Sequence, residues 1–235
     1  MLEAVLFDWG ETLMHWEWDP ELLDMGHTAG LRALGREPQP ELTERFREEY
    51  LPLLTAPGTT DEIDYGALIA RLLAECGIEA DEAEVWRFLE AEHALWLPAH
   101  TLASTTHALL ELLRGRGLKL GLVSNAFDPP ALLHRDLDEL GIAQRIDVAV
   151  FSSEVGRRKP DPLVFERALE ALGVEPERAL FVGDSLAADI GGAAALGMHT
   201  CQALWFRADD DPAGPEPDFQ AFTQIDVLTA VKRLS

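Results

Sequence analysis

Positive charge is scarce in this chain. Lys and Arg total 19 against 42 Asp and Glu, a formal net charge of −23. Such a surface repels nucleic acid and anionic lipid, so neither is expected as a partner, and any phosphate must be met by a local cluster of cations or by a metal. Cysteine is nearly absent: Cys76 and Cys201 are the only two in 235 residues. That excludes a disulfide framework and suits a reduced intracellular protein in which both act as small buried hydrophobes. No apolar run approaches the roughly 18 residues of a membrane span. The first strand begins at Leu2, which leaves no room for a signal peptide. We therefore expect a cytoplasmic protein without a membrane association, monomeric or homodimeric. Also missing are a His-Glu-x-x-His zinc pattern, a phosphate loop ending in Gly-Lys-Ser/Thr and a Gly-x-Ser-x-Gly nucleophile turn.

What is present begins with an apolar run, Ala4 to Phe7, that stops at Asp8 and is followed by Trp9-Gly10-Glu11. A run apolar on both sides reads as a parallel strand buried on both faces. In open α/β sheets ligands gather beyond the carboxyl ends of strands, where Asp8 falls. The same residue could instead merely stabilise a turn. At 47% apolar and 26% charged, the chain can build one moderate domain, or a domain with a second small module.

From about residue 20 to 97 helical spacing recurs in Pro20–Leu34, Pro40–Leu54, Asp61–Cys76 and Asp81–Leu97, with no strand among them. A helical module inserted straight after the first strand is a candidate lid. Beyond Leu102, helices alternate with the strands Leu118–Val123, Asp147–Phe151, Ala179–Val182 and His199–Ala203. That alternation implies right-handed crossovers and a parallel sheet covered by helices, hence an α/β fold. Arg207–Asp218, with three successive Asp, reads as an exposed acidic loop, and Thr223 with Asp226 as the start of a terminal helix.

The later strands also end in polar residues. Ser124-Asn125 offers a hydroxyl and an amide to an anionic oxygen. Arg157-Arg158-Lys159 is the one dense basic cluster, and Asp161-Pro162 after it suit a helix cap and first turn. In Gly183-Asp184-Ser185-Leu186-Ala187-Ala188-Asp189 two carboxylates flank a helix start, where both could face one cation or one could cap the helix. His15, Trp16 and Trp18 follow the first strand and could line an entrance or pack between modules; His93, His100 and His107 show no ligand spacing.

Taken together, Phe7-Asp8-Trp9-Gly10-Glu11-Thr12-Leu13, Val123-Ser124-Asn125, Lys159-Pro160 and Gly183-to-Asp189 resemble, in order and spacing, the four motifs of the haloacid dehalogenase superfamily. The resemblance implies a Rossmann-like core over residues 1–15 and 98–235 and a small all-helical cap over 16–97. It further implies a phosphatase of a small phosphorylated metabolite, with Asp8 as nucleophile forming an aspartyl-phosphate. Mg²⁺ would be held by Asp8, the Gly10 carbonyl and Asp184, with Asp189 supporting a bound water. Ser124, Asn125 and Lys159 would bind the transferring oxygens.

One departure stands out. Most phosphatases of the superfamily carry a second Asp two residues after the nucleophile as general acid/base, and this chain has Gly10. Such help is worth about 10²–10⁴ in rate, so its loss implies a slow enzyme, a good leaving group, or a substitute donor, for which Glu11 is the nearest carboxylate. The same gap admits a 2-haloacid dehalogenase or a non-catalytic phosphate-sensing protein as alternatives. A Schiff-base hydrolase is disfavoured, since no lysine occurs between residues 14 and 100.

Overall fold

The computed structural model describes residues 1–16, 19–55, 58–206 and 214–235. The chain enters through β1 (Ala4–Phe7), whose four side chains are all buried. It then forms β2 (Met14–Trp16) before the helices α1 (Pro20–Ala33), α2 (Pro40–Arg45), α3 (Leu51–Thr55), α4 (Tyr65–Glu75) and α5 (Glu82–His93). A π-helical turn, Phe46–Tyr50, joins α2 to α3 without a break. The return passes through β3 (His100–Leu102), which pairs antiparallel with β2. This ribbon spans both passages between the sheet and the helical segment. No periodicity announces it, because three residues are too few to show alternation.

The remaining elements follow in turn: α6 (Thr106–Arg114), β4 (Lys119–Ser124), α7 (Pro130–Glu139), β5 (Val148–Phe151), α8 (Ser152–Val155), α9 (Pro162–Leu172), β6 (Ala179–Gly183), α10 (Gly191–Ala195), β7 (His199–Ala203), β8 (Phe219–Ala221) and α11 (Asp226–Leu234). Six strands make one parallel sheet in the order β5-β4-β1-β6-β7-β8. The expected last strand, His199–Ala203, is not the edge, since β8 pairs outside it. After β1 the chain builds outward on one side through β4 and β5, then crosses to the other through β6. The reversal places a crevice at the carboxyl end of β1, where Asp8 sits.

Strand alternation divides the core. Val5 and Phe7 point into one apolar layer with α6, α7 and α11, whereas Ala4 and Leu6 point into the other with α9 and α10. The helical segment has its own cluster, built from Leu31, Leu42, Phe46, Ile69, Leu72 and Phe88 among others. Its helix starts follow side-chain caps: Asp19 for α1, Asp64 for α4, and Asp81 with Glu84 in a capping box for α5. Hence α4 begins at Tyr65 rather than near Asp61. Among the described residues no helix is long and apolar enough to cross a membrane. Trp18 and the Asp209-Asp210-Asp211 run lie outside the described residues.

Candidate active site

Three strand ends converge. Asp8, at the end of β1, is 7% exposed and its backbone N–H donates to the Val182 carbonyl of β6 at 2.9 Å. Lys159, one of three lysines in the chain, reaches it from the loop before α9, with Nζ 2.5 Å from Asp8 Oδ1. The same ammonium donates to the Val123 carbonyl of β4 at 3.0 Å and lies 2.7 Å from Asp189 Oδ1, the latter an ion pair rather than an aligned hydrogen bond. Its Nζ also sits 5.6 Å from the centre of the Phe181 ring, within cation–π range.

Asp189 enters from the turn after β6. Ser185 caps that turn by accepting from Ala188 N, and Asp189 Oδ2 accepts from Ser185 N at 3.0 Å, so Ser185 and not a carboxylate is the cap. Gly183 is required here: a Cβ on it would fall on the Asp189 carboxyl group. Carboxylate oxygens of Asp8, Asp184 and Asp189 all lie within 4.8 Å of one another. Burial raises the Asp8 pKa; Lys159 lowers it, Asp189 and Asp184 raise it again, and it stands at about 7. Burial by itself would depress Lys159, yet the facing Asp189 and Asp8 hold it above the usual lysine value. Three carboxylates thus share one ammonium, a deficit of positive charge that a divalent cation fits.

The other residues singled out in the sequence divide. Ser124 ends β4 and is buried beside the site. Asn125 spends its amide on Lys159, accepting from Lys159 N at 2.7 Å and donating to Lys159 O at 3.2 Å. It therefore holds the lysine's main chain, and its side chain is a positioning group. Gly10 faces open space, for a Cβ there would meet nothing within 4 Å. Glu11 sits in the left-handed region at φ 57° and turns its carboxylate to His15 Nδ1 at 2.9 Å and to Trp16 N at 3.4 Å. Of the basic cluster only Lys159 reaches the strand ends: Arg157 pairs with Asp61, and Arg158 with the buried Glu62 at 2.9 Å.

Above the strand ends lies a cavity of about 200 Å³ between the sheet and the helical segment. Trp9, Gly10, Ser124 and Asn125 form its floor, and Trp16, Tyr65, Trp96 and Phe127 stand around it. Trp16 packs edge-on to Trp96 with centroids 5.7 Å apart, while His15, on the opposite side of β2, stacks on Phe206 at 5.3 Å. His93, also on the wall, is clasped by Asp128 at 3.0 Å and Asp136 at 2.8 Å. Burial opposes its charge, but the hydrogen bonds to Asp128 and Asp136 overcome this and push its pKa up to about 10. A larger hollow of about 1340 Å³, bounded by Ile63, Trp86 and Pro130 among others, reaches none of the strand-end residues Trp9, Gly10, Ser124 and Asn125.

A buried carboxylate at the switch point of a doubly wound sheet, with a lysine and two further acids against it, marks the candidate active site of an α/β enzyme. The family model described as haloacid dehalogenase-like hydrolase matches residues 2–197. The chain belongs to that family and is a hydrolase. It is 30% identical, over the whole chain and 99% of the relative, to the glyceraldehyde 3-phosphate phosphatase of Methanopyrus kandleri. It is 33% identical to a phosphoglycolate phosphatase of Xanthomonas campestris, over 73% of this chain and 78% of that one. Among solved structures it superposes on a haloacid dehalogenase-type phosphatase of Thermococcus onnurineus with a TM-score of 0.65 at 26% identity, covering 98% of both chains. A 2-haloacid dehalogenase of Pseudomonas syringae gives 0.71 at 24% identity over both full chains, a likeness of fold.

Proposed function

We propose that the protein is a Mg²⁺-dependent phosphatase of a small phosphorylated metabolite, working through an aspartyl-phosphate on Asp8, with residues 16–97 as its cap. The observation that carries the reading is the meeting of buried Asp8, Lys159 and Asp189 with half-buried Asp184 at one strand end. The names of the two relatives, both phosphatases, support the same choice over dehalogenation.

Asp8 attacks phosphorus, the bond to the alcohol oxygen breaks with its electron pair, and water later splits the acyl phosphate to restore Asp8. Lys159 supplies fixed positive charge to the transferring oxygens, and the Ser124 hydroxyl donates a hydrogen bond. Asn125 keeps Lys159 in register by accepting from its backbone N–H and donating to its backbone carbonyl. Asp8, Asp184 and the Gly10 carbonyl would hold Mg²⁺, with Asp189 steadied beside them by Lys159 and Ser185. When bound, the metal offsets the repulsion between a carboxylate nucleophile and an anionic phosphate.

The experiment is phosphate release from 4-nitrophenyl phosphate, and halide release from a 2-haloacid, each with Mg²⁺ and with EDTA. Phosphate release that EDTA stops is the expected result. Halide release indifferent to EDTA makes the protein a dehalogenase, and neither activity makes it a binding protein.

A further inference from the structure

Resting on the phosphatase reading above, we infer that the leaving half of the substrate is a single aromatic ring that carries no second anionic group, so that the enzyme cleaves aryl phosphate monoesters. Three separate observations lead there. The first is size and surface. An apolar cavity of about 150 Å³ accepts benzene, and the space over Trp9, Gly10, Ser124 and Asn125, the residues that follow the ends of β1 and β4, is about 200 Å³. It is walled by Trp16, Trp96, Tyr65 and Phe127, whose faces and edges suit a ring in stacked or edge-on contact.

The second is charge. Among the described residues lining the cavity there is no Lys or Arg; the ionisable ones are Tyr65, Glu92, Asp128, His93 and His100. Both nitrogens of His93 are taken by Asp128 and Asp136, and Glu92 accepts from Tyr65 at 2.9 Å and faces His27 at 3.3 Å. A carboxylate or second phosphate on the leaving group would be desolvated beside Glu92 and Asp128, and the His93 imidazolium, with both N–H groups committed to Asp128 and Asp136, has none left to receive it.

The third is the missing proton donor. Two residues after the nucleophile stands Gly10, with open space where a side chain would project, and the neighbouring carboxylate of Glu11 is bound to His15 and Trp16 N. As the Asp8–phosphorus bond forms and the phosphorus–oxygen bond breaks, the electron pair therefore departs on an unprotonated oxygen. A phenoxide, whose conjugate acid has a pKa of about 10, leaves in this way far more readily than an alkoxide. The phenoxide takes its proton from water afterwards, which balances the step.

The test compares 4-carbamoylphenyl phosphate with 4-carboxyphenyl phosphate, two rings of one shape that differ in charge, under Mg²⁺. We expect kcat/KM to fall about 30-fold for the carboxylate, the scale of an unpaired buried charge. Equal values overturn the inference. In Trp96→Ala, KM for phenyl phosphate should rise about tenfold while inhibition by inorganic phosphate, which needs only the strand ends, stays unchanged. An unaltered KM, or an equal loss of phosphate inhibition, contradicts the proposed ring site. If phosphoglycolate, an alkyl ester with a second anion, proves as good a substrate as phenyl phosphate, the ring assignment falls while the phosphatase reading stands. If not even 4-nitrophenyl phosphate is cleaved, both fall together.

Discussion

Asp8 and Lys159 are buried together, and each is the other's closest opposite charge. Asp8→Asn keeps the shape and the neighbours but removes the proposed anionic nucleophile. Turnover of 4-nitrophenyl phosphate should drop by about 10³-fold or more with the circular dichroism spectrum unchanged, and persisting turnover would move the nucleophile elsewhere. Asn125 touches the site only through Lys159, so Asn125→Ala should lower kcat by about tenfold and loosen inorganic phosphate, without shifting the metal requirement. For Glu11 the geometry argues against a role as substitute acid: its carboxylate is held by His15 and a backbone amide. Glu11→Gln should leave kcat within about threefold of the parent, and a loss of about 10²-fold would reinstate it as the proton donor. Asp8, Asp184 and Lys159 could be read from the chain, because each follows an apolar strand or precedes a capped helix. What Asn125 and Glu11 do could not, since their partners are a main-chain segment 34 residues away and a histidine whose facing depends on an unforeseen strand.

At the level of elements, the helical segment is fastened to the sheet at two places. Near Lys159, Glu62 N donates to Gly156 O at 3.1 Å, Arg158 N donates to Thr60 O at 2.7 Å, and the Glu62 carboxylate takes both Arg158 and Ser152. On the far side His93, the last residue of α5, bridges to Asp136 on α7. The folded value of His93, about 10, lies above the ordinary imidazole value of about 6.5. Its contribution to stability is therefore complete below that lower pH and is lost as pH rises through the higher one. His93→Gln should cost about 3 kcal/mol in urea unfolding near pH 6, with the difference from the parent shrinking toward pH 10. Within the segment, α1 meets α5 so closely that a Cβ at Gly30 would fall on the Phe88 ring. Gly30→Ala should thus destabilise by about 1–3 kcal/mol, although it raises helix propensity; a stabilised variant would refute that packing. The four-helix pattern was visible in the spacing of apolar residues, and Asp81 fixed one of its starts, whereas the third helix was expected from Asp61 and begins only after its cap Asp64. The ties at Glu62, Ser152 and Arg158 were not visible, because a polar residue near an arginine in space leaves no periodic trace in the chain.

For the molecule as a whole, a net charge of −23 surrounds a site whose proposed substrate is itself anionic. Encounter is then slowed by repulsion that salt screens, since the Debye length shortens from about 30 Å at 0.01 M to about 8 Å at 0.15 M. On the proposed reading the same field opposes nucleic acid and leaves phosphate capture to Lys159 and the proposed metal at the strand ends. The parallel character of the sheet was readable from alternation, whereas β8 escaped notice because a three-residue edge strand beside an acidic loop resembles more loop. The central claim is that Asp8 becomes phosphorylated. It is tested most directly by acid-quenching the enzyme during turnover of an aryl phosphate with Mg²⁺ and locating the adduct by peptide mass spectrometry. A phosphoryl group on the peptide carrying Asp8, absent from Asp8→Asn, is the predicted result; an adduct on any other residue would contradict it.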